Sequence, residues 1–169
     1  MPDTHTIAKA ISRENREDHP VIQHLQRQVC NGFVLYANYK HYHWQTFGPM
    51  FRDLHLMFDE FAHAVLETID HLAERIRMIG PNVQNVTLAE LQESASVQSA
   101  SPGQSMRGMI EEACANLLIV IKDMRDGAKA ADESEDPGTV DLFSRFVQIH
   151  EKHEWFLRQV LKTRDGLVS

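Results

Sequence analysis

The sequence predicts an all-α fold, four long helices packed as a bundle with a short extra helix in one long central connection, and three observations carry that prediction. Apolar residues return with a helical period over four long segments. Strand-like alternation is missing from the first two of them. Gly, Pro and capping residues interrupt the pattern at two short breaks and one long one. At 169 residues the chain has the size of one domain and can bury a core without disulfides.

The elements follow in order. From Val21, the residues Leu25, Val29, Gly32, Tyr36 and His43 hold one helical face, and the helix ends near Gln45. In "TFGPM", Gly48 supplies a stop and Pro49 the first residue of a second helix, so the chain reverses within a few residues. That helix runs to Met78 or Ile79, where Gly80 and Pro81 end it. Residues 81–101 form a polar crossover in which Thr87 and Glu90 make a capping box for one short helix. "SPGQ" at Ser101 to Gln104 caps the third long helix, which carries Ile110, Ala113, Leu117, Ile121 and Met124. "ESEDPGT" separates it from a fourth with Phe143, Phe146, Val147, His150 and Leu157. Short loops joining antiparallel neighbours and one crossover spanning the bundle describe a ferritin-like four-helix bundle, with the extra helix in the crossover between the second and third long helices. The expected organisation is an N-terminal tail at 1–19, the bundle at 20–163 and a short C-terminal tail at 164–169.

Composition excludes several function classes. Net charge is −7, so no global positive field attracts nucleic acid. No segment has the apolar length of a membrane span or a signal peptide, which sets the expectation of a cytoplasmic protein, free or nucleoid-associated. Cys30 and Cys114 stand alone in apolar stretches and read as core residues of a reducing compartment. Ten histidines are many for this length, and histidine is the commonest transition-metal ligand.

The second helix concentrates them. In "DLHLMFDEFAH", His55, Asp59 and His63 recur every four residues, and Asp70 and Glu74 repeat that spacing further on, all on one broad side of the helix among apolar and small residues. A buried stripe of this kind demands a cation, because uncompensated carboxylates cost several kcal/mol to bury. The His55/Asp59 and Asp70/Glu74 pairs cannot share one ion within a chain, since about fifteen residues at 1.5 Å each separate them by roughly 22 Å. Two copies crossing antiparallel near residues 64 and 65 would join each pair to the other chain's second pair. The tight turn would then add His43, giving two imidazoles and three carboxylates per site. Such a mixture suits Fe²⁺, with Zn²⁺ able to compete.

"HWQTFGPMFRDLHLMFDEF" followed by "DHLAER" closely resembles the Dps family of small ferritins: a His before Trp, a second His twelve residues on, Asp four later, then Asp-x-x-x-Glu. The resemblance spans roughly residues 20 to 163. It implies metal ligands at His43, His55, Asp59, Asp70 and Glu74, and a di-iron ferroxidase centre shared between two subunits. It further implies a hollow dodecameric shell assembled from dimers that oxidises Fe²⁺, preferentially with hydrogen peroxide, and stores ferric mineral against oxidative damage. Trp44 resembles the family's tryptophan beside the iron site and is expected to scavenge stray oxidising equivalents or to pack at the helix end. His63 and His71 lie outside the signature, as additional metal ligands or as hydrogen-bonding residues at the dimer axis. Glu60 is a candidate for mineral nucleation. Asp132, Glu133, Glu135, Asp136 and Asp141 coincide with the family's acidic pore for iron entry. In relatives DNA is held by a Lys-rich tail; here that tail is nearly balanced in charge, so DNA binding is expected to be weak or absent. The rival reading is a nucleoid-protecting DNA-binding protein with secondary metal binding. A zinc hydrolase is excluded because "HEKHE" has Glu154 where that motif needs His.

Overall fold

In the computed structural model, which describes residues 19–162, the chain forms α1 (Pro20–Gln45), α2 (Phe51–Ile79), the short α3 (Leu88–Ser94), α4 (Met106–Glu133) and α5 (Pro137–Val160). No strand occurs among the described residues. The expected tails lie outside the described residues, except for His19, whose ring accepts from the Val21 amide at 3.3 Å and caps α1. The pairs α1/α2 and α4/α5 pack most extensively, and α1 bridges to α4.

Helix boundaries follow from local chemistry. Gly80 takes φ 136°, a conformation open to glycine, and its amide closes α2 onto the Ile76 carbonyl at 3.1 Å. Two boundaries differ from expectation. Pro49 stays in the turn and α2 starts at Phe51 after Met50; the Phe51 amide reaches back to the Gly48 carbonyl at 3.0 Å. The cap of α4 is Ser105 rather than "SPGQ", because the Ser105 hydroxyl accepts from Gly108 at 3.1 Å. The capping box of α3 forms, with the Thr87 amide donating to Glu90 at 3.2 Å.

Leu25, Val29, Tyr39, Leu54, Phe58, Val65, Leu72, Met109, Leu117, Met124, Phe143 and Leu157 make one continuous core. Gly32 and Gly127 let helices approach closely, since a Cβ on Gly32 would lie 2.7 Å from Ile69 and one on Gly127 2.8 Å from Phe143. The crossover is held by three buried asparagines. Asn38 accepts from Ala100 N at 2.7 Å and donates to Gln98 O at 2.8 Å; Asn116 accepts from Gln98 N at 3.0 Å; Asn31 accepts from Ser96 N at 2.8 Å. These amides satisfy backbone groups that would otherwise be buried without partners.

His150 and His153, the histidines of "HEKHE", are also in the core, with His153 stacked on Phe61 at 3.8 Å between ring centroids. Both Nδ1 atoms are buried without a hydrogen-bond partner. Burial disfavours the charged ring and lowers His150 to about 4 and His153 to about 3, the latter helped by His150 and Lys152. The unfolded chain therefore takes up these protons first, and stability falls as pH drops from about 6.5 towards about 4. Replacing His153 with Phe should flatten the pH dependence of denaturation in that window by about 1.4 kcal/mol per pH unit, the linkage of one proton. Denaturant titrations between pH 7.5 and 4.5 check this; an unchanged slope would contradict it.

Candidate metal centre

The turn between α1 and α2 lays His43 against His55. Their rings stack with centroids 3.7 Å apart and planes 19° from parallel. Each ring is fixed by the other residue's backbone, His43 Nδ1 lying 2.7 Å from the His55 carbonyl and His55 Nδ1 2.8 Å from the His43 carbonyl. A carbonyl only accepts, so both Nδ1 atoms donate, and Nε2 is the nitrogen that each ring leaves out of that bond. No hydrogen bond to either Nε2 is found among the described residues. Ring orientation fixed through one nitrogen with the other left open is how metal-binding histidines are prepared.

Asp59, one turn along α2 from His55, is held by Lys40 from α1 at 2.6 Å. That hydrogen bond holds the Asp59 carboxyl below the ordinary aspartate range against a smaller opposing effect of desolvation, with His63 and His43 contributing. Lys40 escaped the sequence reading, although it lies one turn before His43 and so shares its face. His63 points Nδ1 at the Asp59 carbonyl, 2.8 Å away, and is largely exposed. It bonds within its own helix.

The remaining candidates are farther from this pair. Asp70, His71 and Glu74 are exposed on α2, and Glu60 is exposed on its N-terminal half. Within the single chain the ligand stripe is therefore not buried. The bundle core takes Leu54, Phe58, Phe61, Val65, Ile69, Leu72 and Ile76 from α2, and the ligand stripe runs beside that sector, half-buried at His55 and Asp59 and open beyond. Leu66 lies on the same open side at 43% exposure. Among the described residues no three His, Cys, Asp or Glu side chains come together to hold a metal within one chain. Trp44 is 68% exposed, with the Lys40 ammonium 5.6 Å from its ring centroid.

At the α4/α5 junction, Asp132, Glu133, Glu135 and Asp141 are exposed. Asp136 is engaged: it caps α5 through the Thr139 amide at 3.1 Å and hydroxyl at 2.6 Å, and it receives Arg75 of α2 at 2.5 Å. Burial pushes the Cys114 thiol up to about 11 and also raises Cys30, leaving both thiols protonated and inert at neutral pH. No described helix is long and apolar enough to cross a membrane.

Comparison with known proteins agrees with the fold and with the motif. Residues 22–166 match the family model described as ferritin-like domain. DNA protection during starvation protein 1 of Deinococcus radiodurans is 32% identical over 149 residues, 88% of this chain and 72% of the relative. The X-ray structure of Dps from Thermosynechococcus elongatus superposes with a TM-score of 0.82 at 41% identity, over 96% of this chain and 99% of the other. Dps of Vibrio cholerae, described as a member of a broad superfamily of ferritin-like diiron-carboxylate proteins, gives 0.79 at 27% identity over 84% and 89% of the two chains. With the family model covering most of the chain and the helical architecture shared with these structures, the chain belongs to the Dps family of ferritin-like proteins.

Proposed function

We propose that this protein is a Dps-type ferroxidase and iron store, in which two chains pair to build two symmetric centres that oxidise Fe²⁺ with hydrogen peroxide. The observation that carries the reading is the reciprocal His43/His55 pair with both Nε2 atoms open. Fe²⁺ enters as substrate. The two imidazoles bind it, and Asp59 joins them on exchanging Lys40 for the metal. The partner subunit's Asp70 and the partner subunit's Glu74 complete the centre, because a straight helix keeps this chain's own pair roughly 22 Å away. Imidazole with carboxylate suits Fe²⁺ and stabilises Fe³⁺, and Zn²⁺ competes for the same donors.

Two Fe²⁺ ions give one electron each to peroxide; its O–O bond breaks and, with two protons taken up, two waters leave. A lone Fe²⁺ would instead release hydroxyl radical. Ferric product collects inside a dodecameric shell, with the exposed Glu60 as a nucleating acid and Asp132, Glu135 and Asp141 guiding iron inward. His63 and His71 act as hydrogen-bonding residues near the dimer axis. Removing Fe²⁺ and peroxide together protects DNA without binding it. Direct DNA contact would rest on residues 1–18, outside the described residues, whose charges nearly cancel. The expected compartment is the cytoplasm.

Stopped-flow mixing of anaerobically loaded protein with peroxide and, separately, dioxygen should give rapid ferric absorbance with peroxide at two irons per molecule consumed. Peroxide no faster than air, or a rate equal to that of free iron in buffer, would sink the ferroxidase reading. A second expectation concerns Lys40. Its substitution in Lys40→Met removes a competing cation from Asp59 and should tighten anaerobic Fe²⁺ or Co²⁺ binding about two- to fivefold, the scale of a half-exposed ion pair. Calorimetric titration showing equal or weaker binding would count against Asp59 as a ligand.

A further inference from the structure

The ferroxidase reading leaves Tyr42 unused. Its ring is fully buried, one residue before His43, and packs on Phe58, one residue before Asp59, with centroids 5.3 Å apart. Its hydroxyl donates to the carboxylate of Glu112 on α4 at 2.8 Å. That carboxylate is fixed by two further donors: Ser101 N lies 3.0 Å from one oxygen and 3.3 Å from the other, and Gln104 Nε2 lies 2.6 Å from the second. A buried phenol aimed at a fixed carboxylate, adjacent in sequence to a metal ligand, is a pair built to lose an electron and a proton together. We propose that Tyr42 is a redox residue that quenches one-electron oxidants escaping the iron centre, with Glu112 as its proton acceptor.

The step balances. Hydroxyl radical, formed when peroxide meets a single Fe²⁺, takes one electron from Tyr42 and becomes hydroxide, which passes to the solvent. In the same step the Tyr42 O–H bond breaks and the proton bonds to Glu112, leaving a neutral phenoxyl radical and a neutral carboxylic acid. A further Fe²⁺ then returns the electron, Glu112 returns the proton, and the stray oxidant ends as one more Fe³⁺.

The other aromatic residues nearby are less suited. Among the three tyrosines of the chain, Tyr39 is buried with a hydroxyl that has no partner, so oxidation there would strand a proton in the core. Trp44 has the Lys40 ammonium over its ring, a charge that stabilises the intact π-face and opposes a positively charged indole radical. Tyr42 differs from both, because its hydroxyl already donates to a carboxylate that can take the proton. Burial pushes Glu112 up, but its hydrogen bonds from Ser101, Tyr42 and Gln104 outweigh that and hold it ionised, ready to accept.

This inference rests on the ferroxidase reading for its oxidant, so the test has two arms. In the first, assembled protein carrying less than one Fe²⁺ per site is mixed with peroxide, frozen, and examined by electron paramagnetic resonance, while iron oxidation is followed optically. A tyrosyl signal should appear, vanish in Tyr42→Phe, and persist in Tyr36→Phe and Tyr39→Phe; spin-trapped hydroxyl radical should rise in Tyr42→Phe. In the second arm, iron-free protein is oxidised by photogenerated ruthenium(III) tris-bipyridine and phenoxyl absorbance is timed. Glu112→Gln, which accepts the same hydrogen bond but takes no proton, should slow phenoxyl formation about a hundredfold, the lower end of what a positioned proton acceptor supplies. A tyrosyl signal that survives Tyr42→Phe, no signal at all while iron is oxidised, or an unchanged rate in Glu112→Gln would overturn the proposal. If the wild-type protein oxidises iron no faster than buffer does, the ferroxidase reading fails, and the iron-free arm still decides whether Tyr42 and Glu112 act as the pair.

Discussion

A straight α-helix cannot fold its own ligands together, and this constraint governs the molecule. His55 and Asp59 sit one helical turn apart, as do Asp70 and Glu74, yet the two pairs are separated by roughly 22 Å of rigid backbone. No loop or glycine intervenes within α2. The bundle core claims one sector of that helix and leaves the neighbouring sector, with its titratable groups and Leu66, on the outside. What looks like an amphipathic helix with misplaced polar groups is, on the proposed function, a helix with two packing faces, one for its own bundle and one for a second copy.

The turn from α1 to α2 supplies what the helix alone cannot. Five residues bring His43 beside His55, and the reciprocal bonds between each Nδ1 and the other residue's carbonyl set both rings before any metal arrives. Pre-orientation of this kind lowers the ordering cost of binding. Lys40 completes the resting arrangement by neutralising Asp59. The same stretch of α1 carries Tyr42 inward to Glu112, so one helical turn presents the proposed ligand His43 beside α2 and a buried phenol to the core. Glu112 in turn gathers the start of α4 and the end of the crossover around that phenol through Gln104 and Ser101.

Much of this was legible in the residues. The helical period, the Gly80 stop and the Thr87/Glu90 box placed the elements, because each depends on neighbours within four positions. The twelve-residue spacing of His43 and His55 across a tight turn pointed to the place where the two rings stack. Features fixed by tertiary contact were not legible. Pro49 is as good a first helical residue as any proline, and only the turn's bond from Phe51 to Gly48 keeps it outside. Asn31, Asn38 and Asn116 read as ordinary polar residues until the crossover backbone lies against them. Asp136 reads as one acid in a run, but the Arg75 guanidinium and the α5 cap engage its carboxylate. How far the stripe is exposed in the single chain was not legible from one-dimensional periodicity, since the core sector and the sector beside it both carry apolar and small residues at helical spacing.

The central claim, that each centre is completed by two chains, is tested most directly by complementation. One chain carries His55→Ala with Asp59→Ala, the other Asp70→Ala with Glu74→Ala, and the two are co-assembled with mixing verified by mass spectrometry. Each homogeneous assembly should be inactive in peroxide-driven iron oxidation, because every centre lacks two ligands. A mixed pair joins the intact His55 and Asp59 of one chain to the intact Asp70 and Glu74 of the other at one of its two centres, so activity should return to about one quarter of wild type under random pairing. No recovery despite confirmed mixing would contradict the two-chain centre.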